Sequence, residues 1–383
     1  MSAARSGTPA TLSRRAFLGG TAAAVYALGG GTLSGCAGGT GATQSVTDMG
    51  GREVSVPESI ERVFCSNPIG TVDLYLLEPD VLVGWNFLPS GDNRKYIEEE
   101  YLELPALGVW MGSGSTPNDE EIATQDPQVI LCYWTADETG CDMADEIADE
   151  VGIPVLLIDY DLRSAPEMYR YIGELLGLEE RAEELAGYCE EKLALIEELA
   201  QAVPEDERKS VFLAQGTGGL STDPVGSMHV TDALELMNTE NVADMPGTEG
   251  QGMGMPTVNL EQIVEWDPDA VLVSEYSMSD SESSDLYNEI REDESWQAVP
   301  AVAAGRVYRL PQSPFSWFGR PPSVVRLLGC LLVMRLLYPA YTQDIDLVEE
   351  TRAFYELFYR LELSDEDLLA ILETAGADVS ELT

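Results

Sequence analysis

Histidine and lysine are almost missing from this sequence of 383 residues, which holds one histidine, His229, and three lysines. A single imidazole is too few for a site that binds bare zinc or manganese, which usually takes several. It is also the only base available for a serine–histidine–aspartate triad, and no nucleophile-elbow motif surrounds it. The sequence therefore argues against a receptor for bare metal ions and against a hydrolase. We interpret His229 as a loop or helix-start residue, with contact to a ligand as the alternative.

Cysteine is scarce as well, since only five cysteines remain when Cys36 is left out. The number left is odd and no C-x-x-C pair occurs, so neither a zinc site nor a complete disulfide framework is indicated. A bridge between Cys132 and Cys141 is conceivable in an exported protein, but we expect it not to form. The remaining cysteines are Cys65, Cys132, Cys141, Cys189 and Cys330.

Positive charge is the third deficit. Residues 1–35 carry three arginines and no acid, so the rest of the chain has 18 basic and 68 acidic residues and a net charge of −50. A nucleic acid is excluded as a partner, because phosphate binding needs a basic face. Such acidity most often reflects solubility or a saline habitat. Any arginine near a cleft is conspicuous against this background.

No segment after the first 36 residues contains a clean apolar run long enough to span a bilayer. The start of the chain reads instead as an export signal. Residues 13–18, S-R-R-A-F-L, form a twin-arginine motif, and residues 33–36, L-S-G-C, look like a lipobox that directs a diacylglycerol group to Cys36. We therefore expect residues 1–35 to be a removed signal peptide and residues 36–45 a flexible tether. The protein would be lipid-anchored at the outer face of the cytoplasmic membrane and would not span it.

One supersecondary unit occurs twice. Residues 116–131 and 257–272 match without a gap, and each reads as a short helix, a D-P turn and an apolar strand. A repeat separated by this distance predicts two similar lobes and not a solenoid. The matching pairs are Thr116/Thr257, Asn118/Asn259, Glu120/Glu261, Ile122/Ile263, Asp126/Asp267, Pro127/Pro268 and Leu131/Leu272.

Strands and helices alternate on both sides of a long helical segment, which predicts an α/β fold with mostly parallel sheets. Apolar residues recur at helical spacing from Leu178 to Ala202, so one stiff helix should connect the lobes. We expect an N-terminal lobe over residues 46–163, connecting helices over 164–206 and a C-terminal lobe over 207–383. The segment Val81–Trp85 is predicted to be one of the strands.

Aromatic and polar side chains gather in the segments that follow predicted strands. Open α/β sheets bind ligands at the carboxyl ends of their strands, and rings with a few polar groups suit a large, partly apolar ligand. Each ring could instead pack in a core between the lobes. The predicted ligand-binding residues are Asn67, Trp85, Asn86, Trp110, Met111, Trp134, Tyr276, Trp317, Phe318 and Arg320.

Arg320 is the sharpest of these candidates, because it stands at the entry to a predicted helix in a chain poor in cations. A guanidinium there could pair with an anionic ligand through two parallel hydrogen bonds. The alternative is an ion pair with one of the many acids of the protein.

These features together resemble the cluster III substrate-binding lipoproteins of ABC importers for iron–siderophores, haem and cobalamin. The resemblance implies two Rossmann-like lobes, a rigid connecting helix and a ligand cleft between the lobes. It implies no catalysis and no cofactor; the partners would be a permease dimer and its ATPase, and we expect a monomer. The segments that carry it are the lipobox at Cys36, residues 48–54 (D-M-G-G-R-E-V), residues 61–63 (E-R-V), the two repeated units, residues 305–308 (G-R-V-Y) and the helix that begins near Arg326.

The resemblance also implies one surface glutamate per lobe that pairs with arginines of the permease. The matching positions are Glu120 and Glu261, which are equivalent in the internal repeat. Glu121 could share or replace the role of Glu120, since the first copy has a second acid there. Ordinary solvent-facing glutamates are the alternative.

The expected ligand is an iron(III)–siderophore chelate with anionic groups that suit Arg320 and the aromatic residues. A haem or corrinoid receptor of the same fold is the nearer alternative, in which His229, Met228 or a tyrosine could ligate haem. An exported two-lobed enzyme is the more distant one.

Overall fold

The computed structural model describes residues 42–89, 91–110, 117–245, 255–275, 285–373 and 375. The predicted signal peptide, Cys36, Met111 and Tyr276 lie outside these residues. The described residues belong to one compact unit. Within the described part, no helix combines the length and the hydrophobicity needed to cross a membrane.

Nine strands form one hairpin and two parallel sheets in the described residues. The hairpin β1–β2 is antiparallel, the first sheet has the order β3-β4-β5, and the second has the order β7-β6-β8-β9. The strands are β1 Thr43–Thr47, β2 Glu53–Pro57, β3 Val63–Cys65, β4 Val129–Tyr133, β5 Val155–Ile158, β6 Ser210–Ala214, β7 Glu240–Asn241, β8 Ala270–Val273 and β9 Val307–Arg309.

Helices cover the faces of both sheets, so the predicted α/β class with parallel sheets is confirmed. The α-helices are α1 Pro68–Leu77, α2 Glu99–Leu102, α3 Asp119–Gln125, α4 Glu138–Val151, α5 Ala165–Leu176, α6 Glu179–Ala202, α7 Thr231–Leu236, α8 Leu260–Trp266, α9 Leu286–Glu292, α10 Pro300–Ala303, α11 Arg326–Leu337, α12 Leu347–Phe354 and α13 Asp365–Glu373. A π-helical turn, Tyr355–Tyr359, continues α12. We call β1–β5 with α1–α4 the N-terminal lobe, and β6–β9 with α7–α13 the C-terminal lobe.

Alternate residues of the central strands point into different cores. In β4, Leu131 belongs to a core shared by both lobes, whereas Ile130 belongs to a second core beneath α3 and α4. In β6, Leu213 faces the shared core and Phe212 faces a third core on the outer side of the C-terminal lobe. Both faces of each sheet are therefore covered, which is why these strands read as continuous apolar runs.

The long connecting helix is present as α6, with 24 residues and a length of about 36 Å at 1.5 Å per residue. It packs against α5 and α1 on one side and against α7 and α11 of the C-terminal lobe on the other. Ala182, Leu185 and Cys189 lie fully buried along it. The helix thus contacts both lobes, as the sequence predicts.

Two predicted boundaries differ from the structure. The hairpin begins at Thr43, which pairs with Pro57, inside the segment expected to be a tether. The strand predicted over Val81–Trp85 is wrong: Leu82 bridges to Val63 and Trp85 bridges to Ala106. The segment crosses from one neighbour to another, so no continuous ladder forms.

The D-M-G-G-R turn of the hairpin is fastened to the first sheet by Asp48, whose side chain is fully buried. Asp48 Oδ1 accepts hydrogen bonds from Arg52 N at 2.8 Å and Gly50 N at 3.1 Å. Its Oδ2 accepts from Leu157 N in β5 at 2.9 Å and pairs with Arg52 Nη1 at 2.8 Å. This motif therefore has a structural role.

Replacing Asp48 with alanine should lower the free energy of unfolding by about 3–5 kcal/mol, because the partly buried Arg52 side chain and three backbone amides lose their acceptor. Denaturant titration of the full chain measures the change. The matched control is Glu53→Ala, which removes an exposed carboxylate from the same hairpin and should change stability by less than about 0.5 kcal/mol. Equal effects of the two substitutions would contradict the role given to Asp48.

Candidate functional site

A buried polar cluster lies where β6 and β8 end, in the C-terminal lobe. Gln215 follows β6 and Ser274 follows β8, and both are at most 1% exposed. The loop that leads into α11 brings Ser316 and Gly319 against them: a methyl group on Gly319 would lie 3.2 Å from Ser274 Oγ and 3.6 Å from Gln215 Nε2. The cluster thus occupies the strand edge at which open α/β sheets bind ligands.

Arg320 forms an ion pair with Asp223 in this cluster. Arg320 Nη2 lies 2.6 Å from Asp223 Oδ1, and Arg320 Nε donates to Asp223 Oδ2 at 3.3 Å. Asp223 is fully buried, whereas the Arg320 side chain keeps 11% of its surface exposed. Burial alone would raise the pKa of Asp223, but the charge of Arg320 and the hydrogen bonds from Arg320 and Ser227 lower it.

Asp223 also holds the rest of the cluster in place. Its Oδ2 accepts from Gln215 Nε2 at 3.1 Å, and its Oδ1 accepts from Ser227 Oγ at 2.8 Å. The carboxylate therefore fixes the guanidinium, an amide and a hydroxyl at once, and this preorganises their orientation. The ion pair that the sequence offered as an alternative for Arg320 is present, and its contact with a ligand stays a prediction.

His229 lies in the same cluster and is 5% exposed. Neither ring nitrogen has a hydrogen-bond partner, and the same holds for Gln215 Oε1 and Thr222 Oγ1. Burial and, next, the positive charge of Arg320 lower the pKa of His229 to about 4, although the charge of Asp223 opposes the change. The ring is thus neutral at physiological pH and retains one donor and one acceptor.

The predicted binding residues Asn67, Trp85 and Asn86 of the N-terminal lobe make internal bonds. Asn67 caps α1 by accepting from Ile69 N at 3.1 Å, and Asn86 Nδ2 donates to Cys65 O at 2.9 Å and to Gly108 O at 2.8 Å. Trp85 is 2% exposed, and its Nε1 donates to Tyr101 O at 2.7 Å. These side chains secure the loops at the sheet edge.

Trp110 and Trp134 lie on the outer side of the first sheet. The Trp110 ring packs against Phe64 with centroids 5.9 Å apart, and its Nε1 donates to Glu150 at 3.2 Å. Trp134 packs against the core beneath α4. The structure does not bring either ring to the Arg320 cluster, because both rings pack against the second core, beneath α3 and α4.

Trp317 and Phe318 are fully buried between the lobes, in the loop that carries Arg320. Trp317 Nε1 donates to Ser313 O at 3.2 Å. Nearby, Phe315 packs against Trp85 and Tyr75 of the N-terminal lobe, with centroids 6.1 Å apart in both pairs. Trp85, Trp317 and Phe318, three of the aromatic residues predicted for a ligand, thus pack in the core shared by the lobes, which is the packing alternative that the sequence left open.

Asp223 and Thr222 were missed by the sequence reasoning. Asp223 is one of 68 acidic residues and carries no motif. Only its position in a loop between β6 and α7 could have marked it as a candidate site residue among the other acidic residues. Its contact with Arg320 spans 97 residues of chain, which no local pattern reveals.

Glu120 and Glu261 occupy equivalent places on α3 and α8, which have seven residues each. Both glutamates are exposed in the first helical turn. Asn118 and Asn259 cap the two helices through the same side-chain bond, and Asp126 and Asp267 end them in the left-handed region, with φ of 50° and 47°. The repeat is therefore structural, and docking by the two carboxylates stays a prediction.

No group of three or more His, Cys, Asp or Glu side chains that could hold a metal ion occurs among the described residues. The five cysteines after Cys36 are free thiols, so Cys132 and Cys141 are not bridged, as expected. The polar cluster around Arg320 is the arrangement in the described part best suited to hold a ligand.

Comparisons with known proteins agree with this architecture. The family model for periplasmic binding proteins matches residues 112–314. The molybdate-binding protein MolA of Haemophilus influenzae is 24% identical over 347 residues, which cover 83% of this chain and 92% of MolA. An uncharacterised ABC transporter substrate-binding lipoprotein, YvrC of Bacillus subtilis, is 27% identical over 195 residues, or 50% of this chain and 57% of YvrC. The solved structure of an ABC transporter solute-binding protein from Sulfurospirillum deleyianum superposes with a TM-score of 0.76 and 29% identity, covering 86% of this chain and 99% of that one.

Proposed function

Because this chain belongs to the periplasmic binding protein family, in its cluster III type, and serves an ABC importer as a substrate-binding protein, we propose that its ligand is an anion. The ligand presents oxygen atoms to the Arg320 cluster and is then delivered to the permease and its ATPase. The observation that carries this proposal is the position of a preorganised arginine among buried, unpartnered polar groups at the carboxyl ends of β6 and β8.

The donors and acceptors of the cluster suit such a ligand. The guanidinium of Arg320 carries a permanent positive charge, and its bonds to Asp223 through Nε and Nη2 hold that charge in place. The neutral His229 ring adds one donor, and Thr222 Oγ1 adds a hydroxyl. Buried polar groups without partners are costly, so a ligand that satisfies them gains affinity.

A ferric chelate with catecholate or carboxylate groups is the ligand class that the sequence predicts. Its anionic oxygens would meet Arg320, while the iron stays within the chelate. This fits a protein in which the described residues offer no group of metal ligands. Haem and cobalamin fit less well, since they need broad apolar walls, and Trp85, Trp317 and Phe318 are packed between the lobes.

A compact oxyanion is the second candidate. The cluster is small and polar, with its nearest aromatic residues turned into the core. A tetrahedral anion needs few contacts and no aromatic wall. MolA, which spans most of this chain, is named for molybdate.

Isothermal titration calorimetry of the full chain distinguishes these ligands. The probes are ferric tricatecholate, ferric citrate, molybdate, haem and cyanocobalamin, with sulfate as a control for non-specific anion binding. Saturable binding of a ferric chelate or of molybdate, but not of sulfate, supports the proposal and selects between its two forms. Binding of haem or cyanocobalamin alone would overturn the anionic ligand while leaving the receptor role in place.

The lipobox supports attachment through diacylglycerol on Cys36 at the outer face of the cytoplasmic membrane, after export by the twin-arginine route. Mass spectrometry of the N-terminal peptide from the membrane fraction tests this attachment. An unmodified Cys36 in that peptide would contradict it.

Docking by Glu120 and Glu261 completes the proposed function. Two exposed carboxylates on equivalent helices, one in each lobe, match the two-fold arrangement of a permease dimer. Each can form charge-assisted hydrogen bonds with an arginine.

A further inference from the structure

A buried carboxyl group joins the two lobes at a distance from the anion cluster. Asp73 lies in α1 of the N-terminal lobe and is 3% exposed. Its Oδ1 accepts a hydrogen bond from Val324 N at 3.1 Å. Val324 stands in the C-terminal lobe, between Arg320 and the start of α11. This bond therefore ties the N-terminal lobe to the segment that carries the ligand-binding arginine.

A second hydrogen bond between the lobes involves Asp232 of the C-terminal lobe. Arg326, 1% exposed, forms an ion pair with Asp232 of α7, and its Nε donates to Ser323 O at 3.3 Å. Asp232 Oδ2 accepts in turn from Leu162 N at 2.9 Å, in the turn Leu162–Ser164 that follows β5 of the N-terminal lobe. Two cross-lobe hydrogen bonds thus flank one arginine.

A cavity of about 10 Å³ separates these groups. Asp73, Ser323 and Arg326 line it together with Asp159 and Asp161. Ser323 Oγ has no hydrogen-bond partner. Its volume is about what one water molecule needs, and its lining combines these polar groups with apolar side chains such as Leu162 and Met168. A water molecule therefore fits beside the Asp73 carboxyl as a partner for proton exchange.

Burial raises the pKa of Asp73 to about 7, although the bond from Val324 N and the charge of Arg326 oppose the change. Asp161, on the same cavity, also has a raised pKa because of burial. The other titratable groups facing Asp73 are thiols and phenols whose pKa values burial raises well above their usual range, so they stay neutral between pH 5 and 8. They are Cys65, Tyr133, Tyr169, Cys189 and Tyr359.

We propose that Asp73 is a proton-binding site of the lobe contact, which holds the lobes together more firmly when Asp73 is protonated than when it is ionised. An ionised Asp73 in this core needs either water or Arg326 as a partner. Arg326 already pairs with Asp232, so ionisation creates a competition that weakens the link to Leu162. The Arg320–Val324 segment lies between this contact and the anion cluster. The affinity for the ligand should therefore be higher when Asp73 is protonated than when it is ionised. This last step rests on the proposed function.

The direction of the pH dependence follows from linkage. The folded protein binds the Asp73 proton more tightly than the unfolded chain, whose carboxyl has the ordinary value of 3.8. The stability that this group contributes is complete below that value and is lost as the pH rises to about 7. Between pH 5 and 7 the group should raise the unfolding equilibrium constant about tenfold per pH unit.

The deciding variant is Asp73→Asn, because asparagine resembles the protonated acid and keeps an acceptor for Val324 N. Denaturant unfolding of the full chain without ligand is measured at pH 5, 6, 7 and 8. The wild type should lose stability from pH 5 to 7 relative to the variant, by about tenfold in the unfolding constant per unit. Asp159→Asn, at the same cavity, is the matched control and should keep the wild-type slope. Parallel profiles of the wild type and Asp73→Asn would overturn the proposal.

Hydrogen exchange of the amides of residues 323–326 in the wild type provides a second measurement that does not depend on the variant. After correction for intrinsic exchange rates, these amides should exchange faster at pH 8 than at pH 6. Equal corrected rates would count against the proton site. If both stability and exchange behave as expected but neither ferric chelates nor molybdate bind, the proposed function fails and the proton site stands.

Discussion

Replacing Arg320 with glutamine should abolish high-affinity ligand binding and destabilise the fold at the same time. An anionic ligand loses its charged donor, so we expect its dissociation constant to rise at least about a hundredfold, or about 2.7 kcal/mol. The fully buried Asp223 loses its partner, which should lower the free energy of unfolding by about 3–5 kcal/mol. Calorimetric titration with the anion that binds the wild type, together with denaturant unfolding, measures both effects.

The double variant Arg320→Gln with Asp223→Asn separates the two effects. It replaces the buried ion pair with neutral amides, so most of the lost stability should return while binding remains weak. Arg309→Gln is the control, since Arg309 pairs with Glu275 and Asp285 outside the cluster. Full affinity in Arg320→Gln would remove this residue from the ligand site.

Acid should weaken the same ion pair. The pKa of Asp223 is lowered in the folded protein by Arg320, against the effect of burial. Its contribution to stability is therefore present above the ordinary carboxyl value and is lost as the pH falls through the lowered one. This dependence has the opposite sign to that of Asp73, so the two sites can be told apart by the pH range in which each acts.

Reversing the charge of both Glu120 and Glu261 to arginine should abolish transport and leave ligand binding unchanged. The two carboxylates lie on the outer surface of α3 and α8, remote in the chain from the Arg320 cluster. Like charges facing permease arginines would cost several kcal/mol. Uptake of the radiolabelled ligand in cells that carry the whole importer measures transport, and calorimetry of the purified variant checks binding.

Glu265→Arg is the matched control, because it reverses an exposed glutamate on α8 without an equivalent in the repeat. Single reversals at Glu120 or Glu261 should reduce uptake less than the pair does. A Glu121→Arg variant shows whether this neighbour shares the role of Glu120. Normal uptake in the double variant would reduce the repeat to a feature of the fold alone.

Much of the fold could be predicted from the sequence because its signals are local. The capping asparagines, the D-P turns and the apolar runs of the repeat specify a short helix followed by a buried strand, and α3–β4 and α8–β8 have that form. The spacing of Ala182, Leu185 and Cys189 likewise predicted the connecting helix. Each of these features depends on residues that are near one another in the chain.

The site could be predicted only in part. Arg320 was found because it stands at a helix entry in a chain poor in cations, but its partner Asp223 lies 97 residues away and has no distinctive neighbours. The aromatic residues at strand ends looked like cleft walls, yet Trp85, Trp317 and Phe318 are packed between the lobes and Trp110 lies on the outer side of its sheet. Composition and spacing do not say which side of a loop a ring will face.

The sequence by itself determined the family, the two-lobed α/β plan, the connecting helix and the equivalence of Glu120 with Glu261. The two-lobed plan, the helix and the equivalence rest on local periodicity and repetition, whereas the family rests on the resemblance of motifs such as residues 48–54 and 305–308. Only the tertiary structure decided that Asp223 holds Arg320, that His229 is buried and neutral, and that Asp73 meets Val324 across the lobes. The physical reason is that burial and long-range pairing set the charge state and orientation of a polar group, and both arise only when distant segments pack together.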